Sequence, residues 1–422
     1  FNQIDNIYQE ETMPGSKLCI SADSHVVESA EFFEPLAEIF GDKAPRVVTP
    51  DPALGPKLDL GNGKLGISIS GLLQQNIDFT SDEGRESLRL GYELARPGCY
   101  DTNERLKDQE IDGLDAEVLY PSVLFNVYQI EDLDIVKATF RLYNDWVGNY
   151  CKEQPSRLFP LGSVQLFDLD EAIKEMERCK AMGHVGMSIA ATAPPDHLYT
   201  DHWYDKFWAA AEDLQMPLNM HIFTGATANH GLATRDPSSR ANGAMSFAGV
   251  AMTVADLIQS GVVDRFPRLK FVVTEFETGW IAHVLKRLDW AYVRAGGART
   301  FGLPRLPSSY WRSNFYATFE DDPLGIMTRD FIGVDTLMWG NDYPHGDSVF
   351  PNSKQVLSEI LSDCTPEERW KMTVKNVVEL YDLPFELTGP DQANVNHLPT
   401  PAVKTWRNAL PLPEVTVSTP LK

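Results

Sequence analysis

The sequence predicts an α/β fold: a (β/α)8 TIM barrel with a long insertion after strand 1 and a C-terminal extension. Two observations carry that reading. Eight short apolar runs recur along the chain, each bounded by turn residues, as strands buried on both faces require. Helical patterns separate them, which implies parallel strands joined by crossover helices. Eight such units close into a barrel. An open doubly wound sheet fits less well, because no glycine-rich phosphate turn follows the first run.

The runs are residues 17–22 (KLCISA), 114–120 (LDAEVLY), 158–165 (LFPLGSVQ), 185–190 (VGMSIA), 217–222 (PLNMHI), 270–274 (KFVVT), 315–319 (FYATF) and 336–340 (TLMWG). Between them, residues 168–182 open on acidic side chains and stop at Gly183, matching the helix dipole and a glycine C-cap. Residues 203–215 and 250–260 also read as helices. Thr365-Pro366-Glu367-Glu368 is a capping box with proline at the first helical position, starting a helix that runs to about Tyr381. The insertion, residues 26–113, holds a hairpin over 57–70 turning at Gly61-Asn62-Gly63, and a helix from about Asp101. Residues 17–383 are thus expected to form one barrel domain. A tail precedes it at 1–16, where Met13 is a candidate natural start that would make residues 1–12 vector-derived. The proline-rich extension, 384–422, is expected to wrap the surface or a partner subunit.

The composition is that of a globular protein, with 43% apolar and 23% charged residues among 422. The net charge of −23 and the lack of a Lys/Arg run argue against nucleic acid and anionic membrane as partners. Five scattered cysteines form no CxxC pair, which argues against a disulfide framework or zinc knuckle and suits a cytoplasmic compartment. No apolar stretch approaches the roughly 20 residues that span a bilayer.

Barrel enzymes place their chemistry where strands end. The first run leads into Asp23-Ser24-His25, whose outer two side chains point the same way. The fifth ends in His221, the sixth in Glu275 with Glu277 beyond, and the eighth leads to Asp342 and His345. Imidazoles and carboxylates converging from several strands suit a divalent metal. Asp23, His25, His221, Asp342 and Glu275 are the candidate ligands; Asp342, Glu275 and His345 are the candidate catalytic groups. Glu28 either orients a ligand or marks a helix start. His345 either lines the pocket or caps its own loop. Glu277 is a salt-bridge partner or a further ligand, and His230 is a solvent-facing loop residue or an added ligand of a second metal. Tyr120, Phe223, Trp339 and Tyr343 are candidates for an aromatic substrate wall, with barrel filling as the other reading.

The segments SADSHVVE, PLNMHI, FPRLKFVVTE and LMWGNDYPH resemble the amidohydrolase-related family over residues 17–385, and within it the branch of predicted TIM-barrel metal-dependent hydrolases. The resemblance implies Asp23 and His25 as the first-strand ligand pair, His221 as the fifth-strand ligand, and Asp342 as a ligand that also handles a proton. Residues 185–191 contain no lysine, so the carbamylated bridge of binuclear relatives is missing and one metal is favoured. Glu275 stands where related decarboxylases usually carry histidine. The expectation is therefore a metal-dependent hydrolase of a small organic substrate. A metal-bound water would attack a carbonyl, with Zn²⁺ the simplest metal, Mn or Fe as alternatives, and a two-metal site left open. His345 would stabilise the oxyanion. Beside it stand a nonoxidative decarboxylase or C–C lyase of an aromatic or unsaturated acid, and a diiron oxygenase on the same scaffold. A small-molecule substrate and a homodimer are the implied partners.

Overall fold

The structure, a computed structural model, describes residues 17–61, 63–73, 81–194, 196–225 and 244–399. In chain order, β1 (Ile20–His25) is followed by three short strands of the insertion, β2 (Arg46–Val48), β3 (Lys57–Asp59) and β4 (Leu65–Ser68). Then come β5 (Ala116–Tyr120), β6 (Leu158–Ser163), β7 (Gly186–Ile189), β8 (Leu218–His221), β9 (Phe271–Thr274), β10 (Phe315–Phe319) and β11 (Leu337–Trp339). β1 and β5 to β11 form one parallel eight-stranded sheet in sequence order. The last edge meets the first just beyond β11. Asp342 N donates to Asp23 O at 2.9 Å and His25 N to Tyr343 O at 2.7 Å, which brings the sheet round into a barrel.

The expected runs are all strands, with shifts at their ends. β1 reaches through Asp23 to His25, so polar side chains that read as a strand end lie inside the strand, fully buried. The helix Leu169–Met182 has Asp168 accepting from Glu171 N and Gly183 in the left-handed region, as its caps require. The helix expected at 250–260 begins earlier and spans Phe247–Gln259. The one at 203–215 is a turn followed by Asp205–Asp213. The capping box at Thr365 and Glu368 is present. Trp208 and Trp311 from the helices and Phe271, Phe315 and Trp339 from the strands are buried in the core. Truncating one such aromatic to alanine costs about 3–5 kcal/mol.

In the insertion, the hairpin β3–β4 gains β2 as a third antiparallel strand; Asn62 at its turn lies outside the described residues. Asp101 caps the helix Thr102–Asp112 by accepting from Asn103 N and Glu104 N. Residues 384–399 return to the start of the barrel, where Leu18 N donates to Gln392 O and Asn394 N to Leu18 O. The tail 1–16 and residues 400–422 lie outside the described residues. No helix among the described residues is long and apolar enough to cross a membrane.

Candidate metal centre

In a parallel barrel, alternate residues of every strand face inward. The register therefore carries Asp23 and His25 from β1, His221 from β8 and Thr318 from β10 to one end of the interior. Glu275 and Asp342 join them from the turns after β9 and β11. Both are non-glycine residues with positive φ, 61° and 51°. Such backbone persists only where its surroundings over-determine it, and it concentrates at functional sites.

His25 Nε2 lies 3.1 Å from Asp342 Oδ1, 3.5 Å from Asp23 Oδ1 and 3.9 Å from Glu275 Oε2. His221 Nε2 lies 3.0 Å from Glu275 Oε2 and 3.6 Å from Asp23 Oδ1. The other nitrogen of each ring is committed to the backbone: His25 Nδ1 meets Pro121 O at 2.7 Å, and His221 Nδ1 meets Ile222 O at 2.9 Å. Carbonyls only accept, so Nδ1 carries the proton and Nε2 of each neutral ring presents a bare lone pair. Asp23 Oδ1, His25 Nε2, His221 Nε2, Glu275 Oε2 and Asp342 Oδ2 are all buried without a hydrogen-bond partner. Two overlapping groups, His25–Glu275–Asp342–His345 and Asp23–His25–His221, each bring possible ligand atoms within 4.8 Å of one another, and lone pairs so close without a donor repel. A divalent cation among them removes that cost, so the donor set fits a metal.

Without a cation, protons would have to do that work. Burial disfavours charge on His25, but Asp23 and Asp342 outweigh it and lift the ring to about 10. Burial likewise opposes charge on His221, yet Glu275 and Asp23 lift it to about 9. Burial would raise Asp23, but hydrogen bonding and charge from His221 and His25 hold it below its ordinary value. Glu275 is pushed up to about 7, by burial first and then by the charge of Asp342.

The neighbouring groups orient the ligands. Thr318 Oγ1 donates to Asp23 Oδ2 at 3.1 Å and accepts from Glu275 N at 3.0 Å. His345 Nδ1 is 2.8 Å from Asp342 Oδ1, and its Nε2 is 2.9 Å from Ser122 Oγ. Both ring nitrogens of His345 are thus engaged, one by a candidate ligand and one by a serine. Behind Asp342, one face of the helix Thr102–Asp112 holds the loop. Arg105 is fully buried, donates to His25 O at 2.7 Å and to Glu117, and lies 4.3 Å over the Tyr343 ring. Asp108 accepts from the Tyr343 hydroxyl, and Asp112 accepts from Asn341 Nδ2 at 3.0 Å. At spacings of three and four residues, the three side chains share one helix face. They pin the residues on both sides of Asp342.

Of the expected aromatic wall, Tyr120 is fully buried, with its hydroxyl donating to Asn219 Oδ1 at 2.9 Å; it fills the barrel beneath the histidines. Trp339 is buried in the core, and Tyr343 faces the insertion helix. These three therefore depart from the wall reading, because their rings are used in packing. Phe223 alone of the four is exposed, and its φ is 64°. Phe125, which the sequence reading missed, stacks on His221 at 4.3 Å and meets His25 edge-on at 5.9 Å. Glu28 accepts from Val123 N at 2.8 Å and from Ser122 N, and so caps a turn rather than touching the centre. His230 lies outside the described residues. Glu320, two residues past Thr318, was also missed. It is buried, and burial followed by the charges of Asp342 and Glu275 pushes it well above the usual carboxylate range. Glu277 is exposed and stands apart from the buried carboxylates. Glu320 is thus biased toward the neutral form.

A barrel with buried imidazoles and carboxylates at one strand-end layer defines a class of metal-dependent enzyme. A family model described as Amidohydrolase matches residues 101–383, and the chain belongs to that family. Among curated proteins it is similar to the gamma-resorcylate decarboxylase of Polaromonas sp. strain JS666, 24% identical over 231 residues, covering 52% of this chain and 69% of that one. Among solved structures it resembles an amidohydrolase from Mycobacterium avium subsp. paratuberculosis K-10, with a TM-score of 0.70, 19% identity, and coverage of 87% of this chain and 100% of that one. It also resembles the dihydroxybenzoic acid decarboxylase of Polaromonas sp. JS666 with bound manganese and 2-nitroresorcinol, with a TM-score of 0.60, 17% identity, and coverage of 88% and 98%. These findings correct the expectation of hydrolysis. The curated relatives are nonoxidative decarboxylases, the alternative set beside it, and one donor set of imidazole and carboxylate serves either chemistry.

Proposed function

We propose that this enzyme is a nonoxidative decarboxylase of a small hydroxylated aromatic acid. It would hold one divalent cation, manganese by analogy with its solved relatives, on Asp23, His25, His221, Asp342 and Glu275. The observation that carries the reading is the set of five buried, partnerless donor atoms, in a chain whose curated relatives remove carboxylates. A bound divalent cation supplies charge neutralisation and orientation for a carboxylate and an adjacent hydroxyl.

The chain's own residues supply the rest. Decarboxylation of an aromatic acid needs a proton delivered to the carbon that bears the carboxylate; the C–C bond then breaks and its electron pair restores the ring. With Oδ2 turned to the cation, Asp342 would relay the proton through Oδ1, which lies 2.8 Å from His345 Nδ1. Burial opposes its charge, but His345 and His25 hold its carboxyl well below the usual carboxylate range, so it starts ionised and passes a proton on rather than storing one. Ser122 holds the far side of the His345 ring and fixes its orientation. Phe125, stacked on His221, offers a flat apolar surface beside the centre. Glu275 replaces the histidine usual in related decarboxylases. Its carboxylate serves better as a ligand than as an acid, since a cation at Oε2 would draw its pKa back down from about 7.

The test is carbon dioxide release from 2,6-dihydroxybenzoate and a panel of other ortho-hydroxybenzoates by manganese-loaded protein. Release that stops on chelation and returns with Mn²⁺ is expected. No release from any member of the panel would count against the proposal.

A further inference from the structure

The helix Ile281–Arg294 exposes one stripe along its length: Lys286, Arg287, Trp290, Val293 and Arg294. These positions recur at three- and four-residue spacing, so they form a single face. Trp290 is 48% exposed and Val293 65%. The Trp290 ring is flanked by two guanidinium groups, Arg287 at 4.6 Å and Arg294 at 5.1 Å. Arg299 follows on the next short helix, also exposed. Over residues 286–305 there are five cations and one acid, in a chain of net charge −23. That acid, Asp289, is held by Ser308. Among the described residues, no ion pair is recorded for Lys286, Arg287, Arg294 or Arg299, whereas Arg265, Arg268 and Arg329 nearby in sequence are paired. The short helix Arg329–Ile332 packs against this one and exposes Phe331, at 71%.

We propose that this face docks an acidic amphipathic helix of a partner protein. An apolar centre containing tryptophan, rimmed by arginines, is the composition of an interface hot spot. Arg287 and Arg294 already lie against Trp290, so less side-chain freedom is lost on binding. Cations with no ion pair among the described residues, on so acidic a chain, are complementary to a compact negative partner. Fourteen residues make a helix of about 21 Å, the length of a similar partner helix laid alongside. A long nucleic acid or a flat anionic membrane would extend past the patch onto the acidic remainder of the surface. A second copy related by a two-fold axis would set like charges against each other.

The probe is a labelled synthetic 16-residue helix with leucines on one face and glutamates on the other, followed by fluorescence anisotropy with the full-length protein. Saturable binding in the micromolar range is expected, weakened at least tenfold by the double variant Arg287→Glu/Arg294→Glu and by Trp290→Ala. Arg268→Glu, at an exposed arginine already paired with Glu212 and Asp213, should bind as wild type. Unchanged melting temperatures would show that the variants fold. The proposal is overturned if the peptide fails to bind, if a scrambled peptide of the same composition binds equally, or if the double variant binds like wild type. It is equally overturned if phosphatidylglycerol vesicles or single-stranded RNA bind this face more tightly than the peptide, or if wild type sediments as a dimer that the double variant disrupts.

Discussion

Replacing Thr318 by valine removes a hydroxyl while keeping shape and volume. That hydroxyl donates to Asp23 Oδ2 at 3.1 Å and accepts from Glu275 N at 3.0 Å, so it ties two candidate ligands from different strands together. A hydrogen bond to a charged group contributes about 1.5–3 kcal/mol. Loss of a partner that orients a metal ligand costs about 10–100-fold in affinity, or about 1.4–2.7 kcal/mol. The two figures agree, so Thr318→Val should weaken manganese binding by about 10–100-fold, while Thr318→Ser, which keeps the oxygen, should lie close to wild type. Free Mn²⁺ is followed by electron paramagnetic resonance during titration, and unfolding of the metal-free protein is measured alongside. Valine and wild type binding within about twofold of each other would refute the reasoning. So would an affinity loss that serine reproduces.

Asp342→Asn keeps the volume of the side chain but ends its proton handling; kcat should fall by about 10²–10⁴-fold with the circular dichroism spectrum unchanged, and retained turnover would remove Asp342 from its role. A Cβ at Gly340 would sit 2.4 Å from Asp23 Cβ and 3.1 Å from the β1 backbone, so Gly340→Ala should lose metal binding, and equilibrium dialysis showing stoichiometric Mn²⁺ would contradict this. Burial raises Glu28 from 4.5 to about 7. A carboxyl raised in the folded state stabilises the fold fully below pH 4.5 and loses that contribution as pH rises through 7, about 3 kcal/mol in all. Denaturant titrations should therefore show Glu28→Gln gaining on wild type by that amount between pH 4.5 and 8; a constant difference across the range would refute it.

The candidate ligands were legible because each stands at or beside the end of an apolar run, and barrel geometry turns that position into convergence. The same rule reaches Glu320, but FYATF closes on an apolar residue, so the carboxyl one position beyond read as loop. Phe125 had no signal, since it lies in a short 3-10 helix, Val123–Gln129, after β5, whose apolar residues follow no strand or α-helical period. Tyr120 and Tyr343 show the opposite limit. The sequence marks both as aromatic residues near strand ends, yet whether the hydroxyl faces substrate, Asn219 or Asp108 depends on side chains far away in the chain. The basic face on Ile281–Arg294 escaped because its cations are spaced for a helix rather than run together. The reaction itself was the hardest to read, because hydrolysis and decarboxylation use the same ligand types and differ in how the substrate sits among them.

The most direct test of the account runs the manganese-loaded enzyme with its best substrate from the hydroxybenzoate panel in deuterated, ¹⁸O-labelled water under a measured oxygen supply. The account predicts one deuterium at the vacated carbon for every carbon dioxide released, no ¹⁸O in the aromatic product and no oxygen uptake. ¹⁸O from water in the aromatic product, no deuterium at the vacated carbon, or oxygen consumed in step with turnover would contradict it.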